Sequence, residues 1–271
     1  MAVEQTARGV AGNHAGEEMS TVPGIAQLRG ICQPAGLDVC LYRRIFTRRV
    51  SIYLTYVFLR IGISANSVSV LKGLLAAAGA LLFTPGKPVL MAGGALLLQL
   101  SFILDACDGE VARFKGSNLR AGGEFIDKIG DAGSRGLFYG AWGWAVWNLN
   151  GDMKAAMAGT IMAGVWLVLR FCAVETLLES FSNHPGKEPE PDELRSLEML
   201  FVRNPNQGKI EYFLSSAWHP WVNVAAVAAV LSFFPDAFHC FFWVYFILWS
   251  INSVRKARSG FRISNFRRPA L

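Results

Sequence analysis

Six apolar segments constrain this chain more than any other feature of its sequence. Each is close to or above the length of about 20 residues that a helix needs to cross a lipid bilayer. The sequence therefore predicts a single all-α domain, an integral membrane bundle of six transmembrane helices. The predicted spans are residues 66–84, 88–112, 122–149, 154–181, 209–234 and 236–254.

The composition agrees with a membrane protein. Of the 271 residues, 52% are hydrophobic and 17% are charged, whereas a soluble chain carries about a quarter charged residues. The net charge is nevertheless +6, which we attribute to basic loops at the membrane and not to nucleic-acid binding. The five cysteines are scattered and odd in number, which excludes a secreted disulfide scaffold.

Basic residues are concentrated on one side of the predicted bundle. The only basic residues in the connections on the other side are Lys87 and Lys154. By the positive-inside rule, the basic side and both termini face the cytoplasm. The small size of the chain and the lack of a sorting signal favour a bacterial inner membrane. The basic segments are residues 40–65, 113–120, 182–209 and 251–271.

Three regions lie outside the six predicted spans. Residues 1–30 are polar and glycine-rich, which predicts a disordered cytoplasmic tail, and residues 259–271 form a second, basic tail. The membrane domain then covers residues 31–258. Within it, residues 38–60 are predicted to form an amphipathic helix on the inner leaflet. Its arginines, including Arg43, lie opposite or beside an apolar stripe and are expected to reach anionic lipid. That stripe consists of Phe46, Val50, Tyr53 and Val57.

Acidic residues at the ends of two adjacent apolar segments point to chemistry. Asp105 and Asp108 share one helix face, and Asp127 and Asp131 share a face of the next helix. The connection around residues 114–121 is short, so the four carboxylates should converge near the cytoplasmic surface. Four such anions repel one another unless divalent cations bind, and oxygen ligands favour Mg²⁺ or Mn²⁺. Two ions in such a site suit phosphoryl chemistry.

Other interpretations of the acidic residues remain open at this point. They could form an intramembrane ionic network with Arg113, Lys128 and Arg135, although hydrophobic packing would stabilise the helices as well or better. An aspartate-rich prenyltransferase and an ion-coupled transporter are two functional alternatives. Acids at the helix ends, and not at the bilayer midplane, argue against the transporter.

Basic residues near the predicted site are candidates for binding an anionic acceptor. Arg203 and Lys209 lie within residues 182–209, which could cover the site, and they are the first choices for an acceptor phosphate. The two within the spans could instead pair internally, for example with Glu175. Lys72, in the first span, could likewise bind an anion or pair with an aspartate, but we expect it to extend to the inner membrane surface. The candidates are Arg135, Arg170, Arg203 and Lys209.

The acidic stretch resembles the signature of the CDP-alcohol phosphotransferases (CDP-alcohol phosphatidyltransferases), Asp-x2-Asp-Gly-x2-Ala-Arg-x9-Gly-x3-Asp-x3-Asp. Residues 63–69 are similar to that family's Pro-Asn-x-x-Thr entry to the first span, with Ala65 and Ser69 in place of proline and threonine. An amphipathic helix followed by six spans is also the plan of that family. The matched signature positions are Asp105, Asp108, Gly109, Ala112, Arg113, Gly123, Asp127 and Asp131.

The resemblance implies a reaction and a set of site residues. A phospho-alcohol group moves from a CDP-linked donor to an acceptor hydroxyl, with release of CMP. The four aspartates would bind two Mg²⁺ or Mn²⁺ ions, and Asp131 would also be the general base. Ser117 lies near the place where the family often has a hydroxyl, which is Arg120 here. The residues that would contact the donor are Asn66, Ser69, Gly109, Ala112, Arg113, Ser117 and Gly123.

The substrates stay open within the family. CDP-diacylglycerol is the favoured donor, which would place the reaction in phospholipid biosynthesis, and a soluble CDP-alcohol such as CDP-inositol is the alternative. Glycerol 3-phosphate, an inositol phosphate and serine are the acceptor candidates. Runs of small residues at 73–79 and 92–95 could pack helices together, within the chain or in a homodimer.

Overall fold

The computed structural model describes residues 22–34, 42–116, 121–183 and 221–266, with the backbone alone at 121–128, 173–183 and 255–266. These residues form helices and turns and contain no strand, which confirms the all-α class. A π-helical turn, Arg43–Thr47, precedes the second helix. The α-helices are α1 (Ile25–Cys32), α2 (Arg48–Arg60), α3 (Ala65–Leu81), α4 (Pro88–Phe114), α5 (Ala121–Asn150), α6 (Met153–Asn183), α7 (Trp221–Leu231) and α8 (Pro235–Phe266).

Three of these helices are long and apolar enough to cross a membrane. They are α4 over Pro88–Phe114, α6 over Met153–Cys172 and α8 over Pro235–Val254. Large apolar side chains project outward from all three, for instance Leu96, Phe171 and Leu248, as expected where lipid covers a helix bundle. Helices α3 and α7 are apolar but shorter, so the arrangement of six spans stays a prediction.

The helix bounds follow the predicted segments closely. From α3 to α6, each bound lies within about one helical turn of the prediction, which is the usual uncertainty of helix ends. The predicted start of the fifth span, at residue 209, lies outside the described residues. Helix α8 continues to Phe266, so residues 259–266 of the predicted basic tail are helical.

The turns at one end of the bundle lie side by side. Asn148 donates a hydrogen bond to the Thr84 carbonyl at 2.7 Å, and Asn150 donates one to the Pro235 carbonyl at 3.1 Å. Asp152 accepts a backbone hydrogen bond from Lys154 at the start of α6, as a helix-capping residue does. These contacts fix the ends of α3, α5, α6 and α8 relative to one another.

Asp152 also joins α8 to this end of the bundle. Its Oδ2 atom lies 2.8 Å from Nε2 of His239 and accepts a hydrogen bond from Nε1 of Trp243 at 3.1 Å. The hydrogen bond with His239 is the main reason why the pKa of the Asp152 carboxyl is below its usual value. The cap therefore stays ionised at neutral pH.

Pairs of glycines bring neighbouring helices close together. A Cβ atom on Gly94 of α4 would lie 2.5 Å from the Gly79 carbonyl of α3, and one on Gly159 of α6 would lie 2.8 Å from Cα of Gly143 in α5. At least one pair, from the runs at 73–79 and 92–95, thus packs helices within the chain. One crossing joins α3 to α4 and the other joins α5 to α6, and α5 adds a core of aromatic rings around Trp142.

Gly159→Ala is expected to lower the free energy of unfolding by about 1–3 kcal/mol, because the new methyl group would push two backbones apart. Gly164→Ala is the matched control on α6, since a Cβ atom there meets no described atom within 4 Å and alanine favours a helix. Thermal unfolding in detergent micelles measures the difference. Equal midpoints for the two variants would contradict the close crossing.

A helix is present within the predicted segment 38–60, with a different inner face, and its position on the membrane surface stays a prediction. The stripe that contains Phe46 and Tyr53 is exposed, as predicted. Opposite the stripe, polar residues such as Thr47, Ser51 and Thr55 are buried, whereas arginines were expected opposite or beside it. The inner face therefore packs on protein, and Ser51 and Thr55 contact α4.

Helix α1 lies partly within the segment that the sequence predicted to be disordered. Its residues Leu28 and Cys32 are fully buried against Ile52 of α2 and Val111 of α4. Burial of these side chains offsets the entropy cost of ordering a short helix. The prediction of disorder is thus wrong for residues 25–30.

Candidate functional site

Three aspartates from two helices meet around one lysine. The ammonium of Lys72, on α3, lies 2.9 Å from Oδ1 of Asp105 and 3.8 Å from Oδ2 of Asp108, both on α4. The same ammonium lies 3.2 Å from Oδ1 of Asp131 on α5. The predicted approach of α4 and α5 therefore brings these three carboxylates together at the end of the bundle away from the turns.

Some predicted site residues lie where the structure gives no side-chain information. Asp127 and Gly123 belong to the part of α5 that is described by its backbone alone. Ser117, Arg203 and Lys209 lie outside the described residues. Their assignments stay predictions.

Lys72 does not extend to the membrane surface as we expected. Only 4% of its surface is exposed, and its ammonium points inward to the aspartates. Opposite charges attract much more strongly in a protein interior than in water, so the carboxylates offer the lysine a better position than lipid headgroups. The sequence expectation for Lys72 is wrong.

The side chain of Arg43 also points inward to the aspartates. The π-helical turn directs its guanidinium to Oδ2 of Asp105, with which it forms an ion pair, and its Cζ atom lies 5.6 Å from the centre of the Phe102 ring. We had expected this arginine to reach anionic lipid. π-Helical turns inside α-helices occur frequently at functional sites, and this one connects the surface helix to the carboxylates.

The residues expected to contact a CDP donor have other partners in the structure. Ser69 donates a hydrogen bond to Oδ2 of Asp108 at 2.8 Å, so the start of α3 orients that carboxylate. Arg113 donates from Nε to the Cys32 carbonyl at 2.7 Å. Its guanidinium lies beside Gly109, where a Cβ atom would be 3.3 Å from Nη1. A side chain at Gly109 would therefore crowd Arg113.

Two further residues of that set are open to surrounding solvent or substrate. Asn66, in the first turn of α3, is exposed, and Ala112, one turn beyond Asp108, is half-buried. Their roles in donor binding stay predictions.

Arg135 is held by aromatic rings. Its Cζ atom lies 4.5 Å from the ring centre of Trp166 and 5.8 Å from that of Trp221, which are distances typical of cation–π contacts. Arg170 approaches the same Trp166 ring at 5.5 Å. Although Arg135 lies one helical turn from Asp131, the described residues show no ion pair between them.

The ionic network considered from the sequence exists, with other partners. In the described part of the chain, Lys72 and Arg43 neutralise the aspartates, whereas Arg113 and Arg135 make the contacts given above. The side chain of Lys128 is not described. Arg113 and Arg135 were the wrong partners, because the described partners come from α3 and the π-helical turn, and Lys128 stays a prediction.

Glu110 was not among the residues predicted from the sequence. Only 1% of its surface is exposed, and its carboxylate accepts hydrogen bonds from Ser51 and Thr55 of α2, each at 2.6 Å, and from Gln33 at 2.7 Å. An acidic residue next to Gly109, within an apolar helix, was the available signal, since such a charge needs partners. Glu110 attaches α1 and α2 to the helix that carries two of the aspartates.

A cleft gives access to the carboxylates. Its lining includes Asp105, Asp131 and Lys72, together with Arg135 and Trp221. Asp131 has the most exposed side chain of the three aspartates, 38% against 20% for Asp105 and 12% for Asp108. A small polar molecule in this cleft would meet the Asp131 carboxylate first.

The residues present fit a divalent cation in their chemistry. Carboxylate oxygens are the ligands that Mg²⁺ and Mn²⁺ prefer, and three carboxylates already surround one positive charge. Among the described side chains, no three His, Cys, Asp or Glu residues are arranged around a metal position. Lys72 holds the central position, and Asp127 lies outside that set.

No protein-family model matches the chain, and no curated protein matches it. The fold and the site thus define a class in structural terms alone. The described residues form an all-α structure in which three helices could cross a membrane, with a carboxylate cluster beside a cleft at one end of the bundle.

Proposed function

We propose that this chain is an integral membrane CDP-alcohol phosphotransferase. It transfers the phospho-alcohol group of a CDP-linked donor, with CDP-diacylglycerol as the first choice, to an acceptor hydroxyl and releases CMP. The observation that carries the proposal is the meeting of Asp105, Asp108 and Asp131 around one cationic position. The spacing of the signature in the sequence supports the same reaction.

A purely structural ion pair is the weaker explanation of this cluster. Replacing a purely structural ion pair by apolar residues often leaves the fold as stable. Here three acids lie around Lys72 and Arg43, and the most exposed of these acids lines a cleft. Such an arrangement suits a site that binds cations and a polar substrate.

Asp131 is the proposed base. Its carboxylate takes the proton of the acceptor hydroxyl as the hydroxyl oxygen bonds to the phosphorus that carries the donor alcohol. The bond from that phosphorus to the bridging oxygen breaks, and the electron pair leaves with CMP. Two Mg²⁺ or Mn²⁺ ions, when bound by Asp105, Asp108, Asp127 and Asp131, would supply charge stabilisation for the departing phosphate.

The position of Arg135 favours an acceptor that carries a phosphate. Its guanidinium lines the same cleft as Asp131, rests on Trp166 and Trp221, and has no ion pair with the described carboxylates. Residues four apart on a helix lie about 6 Å apart along its axis, which fits a hydroxyl and a phosphate on one small molecule. Glycerol 3-phosphate and an inositol phosphate are therefore preferred to serine, with Arg170, Arg203 and Lys209 as further candidates.

The same proposal includes a location. The carboxylate end of the bundle carries the basic segment 40–65 and the basic end of α4, and we place it at the cytoplasmic face of a bacterial inner membrane. CDP-linked donors and phosphorylated acceptors are then available on that side. The alternative within the family, a soluble donor such as CDP-inositol, would enter the cleft from the same side.

The purified protein in lipid, given CDP-diacylglycerol, Mn²⁺ and glycerol 3-phosphate or inositol phosphate, is expected to release CMP. Mass spectrometry of the products identifies the pair of substrates, and EDTA should stop the release. A panel of isoprenoid diphosphates in parallel tests the prenyltransferase alternative. If no CDP-linked donor yields CMP with any acceptor, the proposed function is wrong.

A further inference from the structure

We propose that Lys72 is a resident cation of the carboxylate site, which holds α4 and α5 together without a divalent ion and competes with such an ion for Asp105 and Asp131. The inference deepens the proposed function and rests on it, because the competing ion is the one proposed above. It concerns how the site is held and regulated before an ion binds.

The position of the ammonium carries this inference. Lys72 comes from α3, and it bridges Asp105 on α4 and Asp131 on α5, which belong to different helices. Its aliphatic stem is buried, and the residues one turn away along α3 toward the core, such as Ala76, are also buried. The side chain therefore links three helices at the point where the cleft begins.

A divalent ion and the ammonium cannot share this position. Mg²⁺ binds carboxylate oxygens at about 2.0–2.1 Å, and the ammonium already lies 2.9 Å and 3.2 Å from the oxygens of Asp105 and Asp131. An ion bound by these two oxygens would come close to the ammonium, and the two positive charges would repel. The four-carbon stem of lysine lets the ammonium withdraw when an ion arrives.

Arg43 strengthens the case for Lys72 as the competing group. Arg43 also pairs with Asp105, but a third of its side chain is exposed, at 35%, and it approaches from the π-helical turn. Among the described side chains, Lys72 lies within 4 Å of an aspartate on α4 and of one on α5. Displacement of Lys72 is therefore the step that couples ion binding to the contact between α4 and α5.

Lys72→Met tests the inference in two measurements on the purified protein in micelles. In EDTA, its unfolding midpoint should fall by roughly 10 °C relative to the wild type, because the aspartates lose a buried partner. In Mn²⁺ titrations followed by electron paramagnetic resonance, the ion should bind about tenfold more tightly or better, because its competitor is gone. Saturating Mn²⁺ should return the variant to within a few degrees of the wild type.

Lys87→Met is the matched control, since Lys87 is exposed at the start of α4 and should leave both measurements unchanged. If Lys72→Met does not fold even with Mn²⁺, Lys72→Gln replaces it, with the same expected tightening of Mn²⁺ binding. An unchanged or weaker Mn²⁺ affinity overturns the inference. If the Mn²⁺ affinity is unchanged or weaker but the wild type still releases CMP, the proposed function stands without this inference. If neither the wild type nor the variant binds Mn²⁺ and the wild type releases no CMP, the proposed function and this inference both fail.

Discussion

Replacement of Asp131 by asparagine should reduce CMP release by a factor of about 10²–10⁴ or more, while the CDP donor still binds. Asparagine has the size of aspartate and keeps a carbonyl oxygen for Lys72, which lies 3.2 Å from Oδ1 in the wild type. It cannot take a proton from the acceptor hydroxyl. The loss should therefore appear in turnover and not in the affinity for the donor.

CMP release and donor binding by calorimetry measure these two effects separately, with Mn²⁺ binding as a check that the site is intact. Leu137→Ala is the matched control on the same helix, because the Leu137 side chain is exposed on the outside of the bundle and does not line the cleft. It should retain most of its turnover. Normal turnover in Asp131→Asn, with Mn²⁺ still bound, would refute the assignment of the base.

The positions of the long helices could be predicted because length and hydrophobicity determine them. Apolar runs bounded by turn residues gave the bounds of α3 to α6 to within about one turn. Gly151, which has a positive φ of 74°, shows why the break after α5 is sharp, since glycine adopts that conformation at little cost. Helix α1 was missed because its order depends on contacts with Ile52 and Val111, which are far away in the sequence.

The faces of the site helices could also be predicted, but their partners could not. The spacing of three and four residues placed Asp105 and Asp108 on one face, and the short connection brought Asp131 near them. Which basic side chain meets these carboxylates depends on how α3 and the π-helical turn pack against α4. A long side chain such as Lys72 can point outward or inward from the same backbone position.

The buried network around Glu110 leads to the second large effect. Glu110→Leu should lower the free energy of unfolding by about 3 kcal/mol, since three donors, on Gln33, Ser51 and Thr55, lose their acceptor in a buried place. Glu110→Gln keeps one carbonyl oxygen for two of these donors, and its amide can donate to the third group. It is the matched control and should lose less than half as much.

The thiol of Cys32 reports where the damage occurs. This residue ends α1, it is fully buried, and burial raises its pKa to about 11, so little of the reactive thiolate is present at neutral pH. Loss of the Gln33–Glu110 hydrogen bond should loosen α1 and speed the labelling of Cys32 by a maleimide, followed on its own peptide by mass spectrometry. Cys172 and Cys240, which lie on outward faces of α6 and α8, should label at the same rate in every variant and serve as internal references. Unfolding at a lower temperature without faster labelling of Cys32 would show that Glu110 stabilises α2 alone, and that α1 is held by other contacts such as the hydrogen bond from Arg113.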